Sequence, residues 1–130
     1  MARGREMLSM ASLHPEFFIR LYLARSLMMG PGKAALLEGI ARTGSISAAG
    51  RELGMSYKRA WMLVETMNAM FREPVVSSAR GGPGGGGAIL TETGRTALAL
   101  YREIEAASVA VNTDRIDRLR SLLADVPDEK

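Results

Sequence analysis

The chain contains no cysteine, which excludes disulfides, thiolate nucleophiles and cysteine-ligated metals. Its one histidine, His14, stands beside Pro15 and reads as a surface residue rather than a base or a ligand. No paired carboxylates are set against a glycine-rich pocket, so with thiol and imidazole chemistry gone the chain does not read as an enzyme. No metal and no cofactor is expected. No segment reaches the roughly 18 apolar residues of a membrane span. The opening MARGREMLSM carries Arg3, Arg5 and Glu6 and lacks the long apolar stretch of a signal peptide. A cytoplasmic protein with no membrane partner is the expectation.

What is present is a single-domain length of 130 residues with an uneven charge. Residues 1–72 hold ten Lys/Arg against five Asp/Glu, whereas residues 73–130 hold seven against nine. The formal net charge of +3 is therefore concentrated in the first half, a pattern that suits an anionic partner such as nucleic acid. The stretch SARGGPGGGG, Ser78–Gly87, is too rich in glycine for a helix or a buried strand. Gly82, Gly84 and Gly87 match G-x-G-x-x-G, but the run leads into the strand-like Ala88-Ile89-Leu90 and not into a helix, which discards a dinucleotide site. Gly32-Lys33 is discarded as a P-loop because Leu27 and Ala34 replace the required glycine and hydroxyl residue.

The apolar spacing predicts a mainly α chain with a small β-hairpin. Phe17–Arg25 reads as a strand, and Gly30–Gly32 as a turn. A helix opens at Lys33 with Leu36, Leu37 and Ile40 as its stripe and stops at Thr43-Gly44. Ser45 or Ser47 caps a short second helix, in which Ala48 and Ala49 suit close helix crossing. Gly54 ends it, and Ser56 caps a third helix with Trp61, Val64, Met67 and Phe71 on its buried face. Two helices joined by a turn, with one before them, form the pattern of a helix-turn-helix. Val75-Val76 and Ala88–Thr91 then flank the glycines as strands, and a hairpin in that place is a wing. Thr91 caps a long helix to about Val111, interrupted at Asn112-Thr113. Ala97, Tyr101, Ile104, Ser108 and Val111, continued by Ile116, Leu119, Leu123 and Val126, form a seam expected to pair two subunits. The expected division is an N-terminal segment 1–16, a winged helix-turn-helix at 17–90, and dimerisation helices with a tail at 91–130.

The stretch Lys33–Ala107 resembles the N-terminal domain of ModE-type molybdate-responsive transcription regulators, a branch related to the LysR-type DNA-binding domains. The residues that carry the resemblance are TGSISAAG, SYKRAW, Met67-Asn68, GGPGGGGAILTETG and ALALYREIE. It implies a dimeric winged helix-turn-helix that binds double-stranded DNA at a spaced inverted repeat, with Ser56–Trp61 opening the recognition helix. The oxyanion-binding region of the molybdate-sensing members has no counterpart before Lys130, so molybdate binding is not carried over.

Within that frame Tyr57, Lys58 and Arg59 have the reach for base edges and phosphates in the major groove. Ser56 precedes them as the cap, and Met62 is a further candidate on the same helix. Ser45 and Ser47 can donate to phosphate, and Arg51 and Arg80 add charge. Gly84, Gly85 and Gly86 allow the hairpin tip to approach a backbone closely. The rival reading is a winged-helix adaptor for another protein, for which nine methionines would give an adaptable surface. The basic SYKR turn and the basic first half favour DNA.

Overall fold

The computed structural model describes residues 17–79 and 87–124; residues 1–16, 80–86 and 125–130, with His14, the hairpin tip and Val126, lie outside the described residues. The architecture is mainly helical, with two small two-stranded antiparallel sheets and a long last helix. No helix among the described residues is long and apolar enough to cross a membrane.

The first strand is shorter than the sequence predicts, and it has a partner that the sequence did not announce. Strand β1, Leu21–Ala24, pairs antiparallel with β2, Leu27–Met29. The turn between them places Arg25 at φ 39, in the left-handed region. Hairpin turns need positive φ, which glycine and asparagine usually signal; Arg25-Ser26 carries neither mark.

Helix α1, Pro31–Thr43, begins two residues before the predicted start. Proline suits the first helical position because its missing N–H has no partner there. Lys33 donates to the Met28 carbonyl oxygen at 2.7 Å, and partial burial lowers its pKa. Gly44 ends the helix at φ 74 and returns its N–H to the Ile40 oxygen at 2.8 Å. Helix α2, Ile46–Glu52, is capped by Ser45, whose Oγ accepts from the Ala48 N–H at 3.0 Å. The alternative cap, Ser47, instead lies with its Oγ 3.3 Å from that of Ser45. Gly54 makes the next turn at φ 73, and Ser56 caps helix α3, Tyr57–Met70, by accepting from the Arg59 N–H at 3.1 Å. Each such cap contributes about 1 kcal/mol.

The three helices cross closely because their contact residues are small. A Cβ on Gly39 would stand 2.8 Å from the Ala49 Cβ, and one on Gly50 2.8 Å from the Ala60 Cβ. Leu36, Leu37, Ile40, Met67 and Val75 fill the core around them with no exposure. Strands β3, Val76–Ala79, and β4, Gly87–Leu90, pair antiparallel with Val76 opposite Leu90 and Ala79 opposite Gly87. Val76, Ala88 and Leu90 face the core, while Ile89 turns outward.

Helix α4 runs unbroken from Glu92 to Arg120, about 43 Å at 1.5 Å per residue. The interruption expected at Asn112-Thr113 is absent. Asn112 Nδ2 donates to the Ser108 oxygen at 2.9 Å and Thr113 Oγ1 to the Val109 oxygen at 2.9 Å. Both polar side chains are thus satisfied one turn back, without leaving the helical path.

Candidate functional site

Helix α3 is fixed on one side and free on the other. Ala60, Val64 and Met67 are buried against α1 and α2, whereas Tyr57, Lys58, Arg59 and Met62 are exposed. Ser56, also exposed, holds the first turn in place through its cap. The sequence therefore identified a basic and aromatic helix start that the fold leaves open. Trp61 corrects the expectation of a core residue: it is 39% exposed and sits edge-on to the Tyr57 ring, centroids 6.1 Å apart. Spacing to Val64 suggested burial, but it is the neighbouring Ala60 that faces Gly50 at the close α2–α3 crossing. The buried stripe is carried instead by Ala60, Val64 and Met67.

Asn68 ties this helix to the second hairpin. Its Oδ1 accepts from the Val75 N–H at 2.8 Å and the Val76 N–H at 3.0 Å, and its Nδ2 donates to the Val76 oxygen at 3.2 Å. From the other side, the Ala88 N–H donates to the Gly44 oxygen at 2.9 Å. These bonds hold β3 and β4 beside α3 and across the α1–α2 turn. The result is a groove of about 400 Å³ between α3 and the hairpin. Ser45 and Ser47 form one end of it, Tyr57 and Trp61 one wall, and Ser77, Ser78 and Gly87 the other. Among the described residues, no ionisable side chain apart from the Tyr57 phenol lines it. Ser45, Ser47 and Tyr57, three of the residues singled out in the sequence, are thus brought together. Trp61, Asn68, Ser77 and Ser78 are additions; the fourfold spacing of Tyr57 and Trp61 was the available signal for the wall.

Arg51 is exposed in the last turn of α2 and does not line the groove. Next to it, Glu52 accepts a bidentate pair from Arg42, at 2.8 and 3.1 Å. The hydrogen bond from Arg42 lowers the Glu52 pKa and raises that of the guanidinium. Arg80, Gly84, Gly85 and Gly86 lie outside the described residues.

The long helix presents a different apolar line from the predicted seam. Tyr101 is buried in its own domain, and its hydroxyl donates to the Ile19 oxygen at 2.6 Å. Burial, and then the Glu105 charge, raise the pKa of this phenol. Ala97, Ser108 and Ile116 are half-buried. Ile104, Val111 and Leu119 are exposed as expected. The exposed stripe is Leu100, Ile104, Ala107 and Val111, again at four-three-four spacing but rotated away from Tyr101. Arg102 fixes the rotation by pairing with both oxygens of Glu38 on α1 at 2.8 Å and with Glu105 at 2.7 Å. Those bonds raise the guanidinium pKa further, the Glu38 bond most. Beyond Glu105 no described residue of the helix is buried.

No protein-family model matches the chain. It is similar to the molybdenum-pterin-binding protein MopB of Rhodobacter capsulatus, 47% identical over 102 residues that cover 72% of this chain and 38% of that protein. MopA of the same organism is 46% identical over 79 residues, 61% of this chain and 30% of MopA. The DNA-binding transcriptional dual regulator ModE of Escherichia coli K12 is 39% identical over 89 residues, 68% of this chain and 34% of ModE. This chain thus spans between about 30% and 38% of the length of these curated relatives. Its relatives include ModE proteins, the type the sequence motifs suggested, and Mop-type molybdenum-pterin-binding proteins, which they did not.

Proposed function

We propose that this chain is a sequence-specific DNA-binding transcription regulator that acts as a homodimer through a winged helix-turn-helix. Helices α2 and α3 form the helix-turn-helix, α3 is the recognition helix, and the β3–β4 hairpin is the wing. The observation that carries this reading is the exposed Tyr57-Lys58-Arg59 turn, capped by Ser56, on a helix whose opposite side is locked into the core. Such a helix offers its N-terminal residues to the major groove without loss of fold. Lys58 and Arg59 supply guanine and phosphate contacts, each good bidentate base contact discriminating by roughly 1–3 kcal/mol. Ser45 and Ser47, at the groove's end, donate to phosphate, and Arg51 adds charge nearby. The E. coli relative ModE, a DNA-binding transcriptional dual regulator, agrees with this reading.

The homodimer rests on the stripe Leu100, Ile104, Ala107 and Val111, continued by Leu119. Four large exposed apolar residues on one helix leave water best by pairing with the same face of a second copy. A two-fold pair then reads an inverted repeat, with half-site centres about 34–36 Å or a multiple apart. The test is fluorescence-anisotropy binding to genomic fragments at two salt concentrations. The expected result is steep salt dependence together with fragments that resist competition by random DNA. Binding that is equal for all fragments, or absent, refutes the regulator reading and favours the adaptor.

A further inference from the structure

The described lining of the groove between α3 and the hairpin carries no charge, although cationic residues flank it. Lys58 and Arg59 adjoin Tyr57 in the chain, but neither lines the groove; hydroxyls and two aromatic rings do. Trp61 is the single tryptophan of the chain, and it is left 39% exposed while smaller residues fill the core. Tyr57, 62% exposed, stands edge-on to it. An indole held open beside a basic helix start is placed to meet something apolar within an otherwise charged and polar partner. In the DNA major groove that description fits one group, the C5-methyl of thymine. Apart from the C5–H of cytosine, which lacks the bulk of a methyl, every other base-edge feature there is a hydrogen-bond donor or acceptor, for which carbon edges of Tyr57 and Trp61 have no use.

We propose that Trp61, supported by Tyr57, is a specificity-determining residue that reads a thymine methyl in each half-site. This rests on the DNA-binding reading above. It divides the recognition helix into two chemistries. Lys58 and Arg59 provide charge-assisted contacts, and the Trp61 edge, one turn further along the hairpin side, provides an apolar contact that rejects cytosine and uracil at one position. The flanking cations supply the attraction that brings a phosphate-rich partner to the aromatic wall of the groove.

The experiment uses the full chain and a duplex chosen by its protected footprint. Thymines in one half-site are replaced singly by deoxyuridine, which removes only the methyl. One position is expected to weaken wild-type binding roughly fourfold, the worth of one buried methyl group at about 0.8 kcal/mol. Trp61→Ala is expected to weaken binding to the thymine duplex and to abolish the difference between thymine and deoxyuridine at that position, while Lys58→Ala keeps the difference. Emission from Trp61 should change on saturation with the thymine duplex and change less with the deoxyuridine duplex. If no thymine position matters to the wild type, or if the methyl is worth the same to Trp61→Ala, the proposal is overturned; uniform weakening by Trp61→Ala would then assign the indole to sugar contacts. Because the deoxyuridine series on the wild type needs no protein variant, misfolding cannot mimic its result, and an unchanged circular dichroism spectrum is required of Trp61→Ala before its series is read. A wild type that protects no site on any fragment overturns the DNA-binding reading itself, and this inference with it.

Discussion

Replacing Gly94 by alanine probes how closely α4 approaches the second hairpin. Gly94 lies in the first turn of α4, and its N–H donates to the Thr91 cap oxygen at 2.9 Å. A Cβ there would penetrate the Val75 carbonyl oxygen and stand 3.0 Å from the Val75 carbonyl carbon. Both obstacles are backbone, so no side chain can swing aside. The helix start must move away, and the Thr91 N–H bond to that same Val75 oxygen, 3.0 Å long, stretches with it. Overpacking of this kind costs about 1–3 kcal/mol, and a lost hydrogen bond about 1 kcal/mol. Helix propensity returns about 1 kcal/mol. The expected net loss is about 1–3 kcal/mol. Gly32→Ala is the control: it also lies in a first helical turn, in α1, and its added Cβ meets nothing within 4 Å. That change should be neutral or stabilise by up to about 1 kcal/mol. Urea unfolding of both variants at one fixed protein concentration checks the pair, since association would make the midpoint concentration-dependent. Equal midpoints for the two variants would refute the close approach of α4 to the Val75 backbone.

Lys58→Ala and Arg59→Ala should each weaken DNA binding by about 1–3 kcal/mol without changing the circular dichroism spectrum, and a double variant with unaltered affinity and sequence preference would remove these residues from the interface. Ile104→Glu with Val111→Glu should give monomers by light scattering, because both side chains lie on the exposed stripe, whereas Ala97→Glu, on the half-buried side, should damage folding first. Asn68→Ala leaves the buried Val75 and Val76 N–H groups without their acceptor and should cost about 2–3 kcal/mol in urea unfolding; an unchanged midpoint would mean that the hairpin does not depend on this clamp. The Tyr101 phenol has its pKa raised by burial, so the folded state favours the protonated form. Its contribution is therefore complete below the unfolded value, about 10, and is lost as pH rises through the higher folded value. Tyr101→Phe should flatten that alkaline loss of stability, and a pH profile identical to the wild type would place the effect elsewhere.

Much of the local structure was legible from residue types alone. Ser56 and Thr91 were identified as caps and accept the bonds expected of them, Ser45 fills the place left open between it and Ser47, and Gly44 and Gly54 end helices where their positive φ is needed. These are nearest-neighbour effects, set by one side chain and the backbone a few residues away. The exposed Tyr57-Lys58-Arg59 turn was legible for the same reason. Tertiary packing decided what periodicity left degenerate. Trp61 and Val64 fit one apolar stripe equally well, and the α2–α3 crossing at Gly50 and Ala60 admitted the small residues and left the indole outside. Tyr101 fits a dimer seam by spacing, but its contact is Ile19, 82 positions away in the chain, and no local pattern encodes that bond. The rotation of α4 follows from it and from the Arg102–Glu38 pair, which together move the exposed stripe to Leu100, Ile104, Ala107 and Val111. Sequence period specifies that a helix has an apolar face; long-range contacts choose which of two adjacent faces is covered by its own domain and which is left exposed.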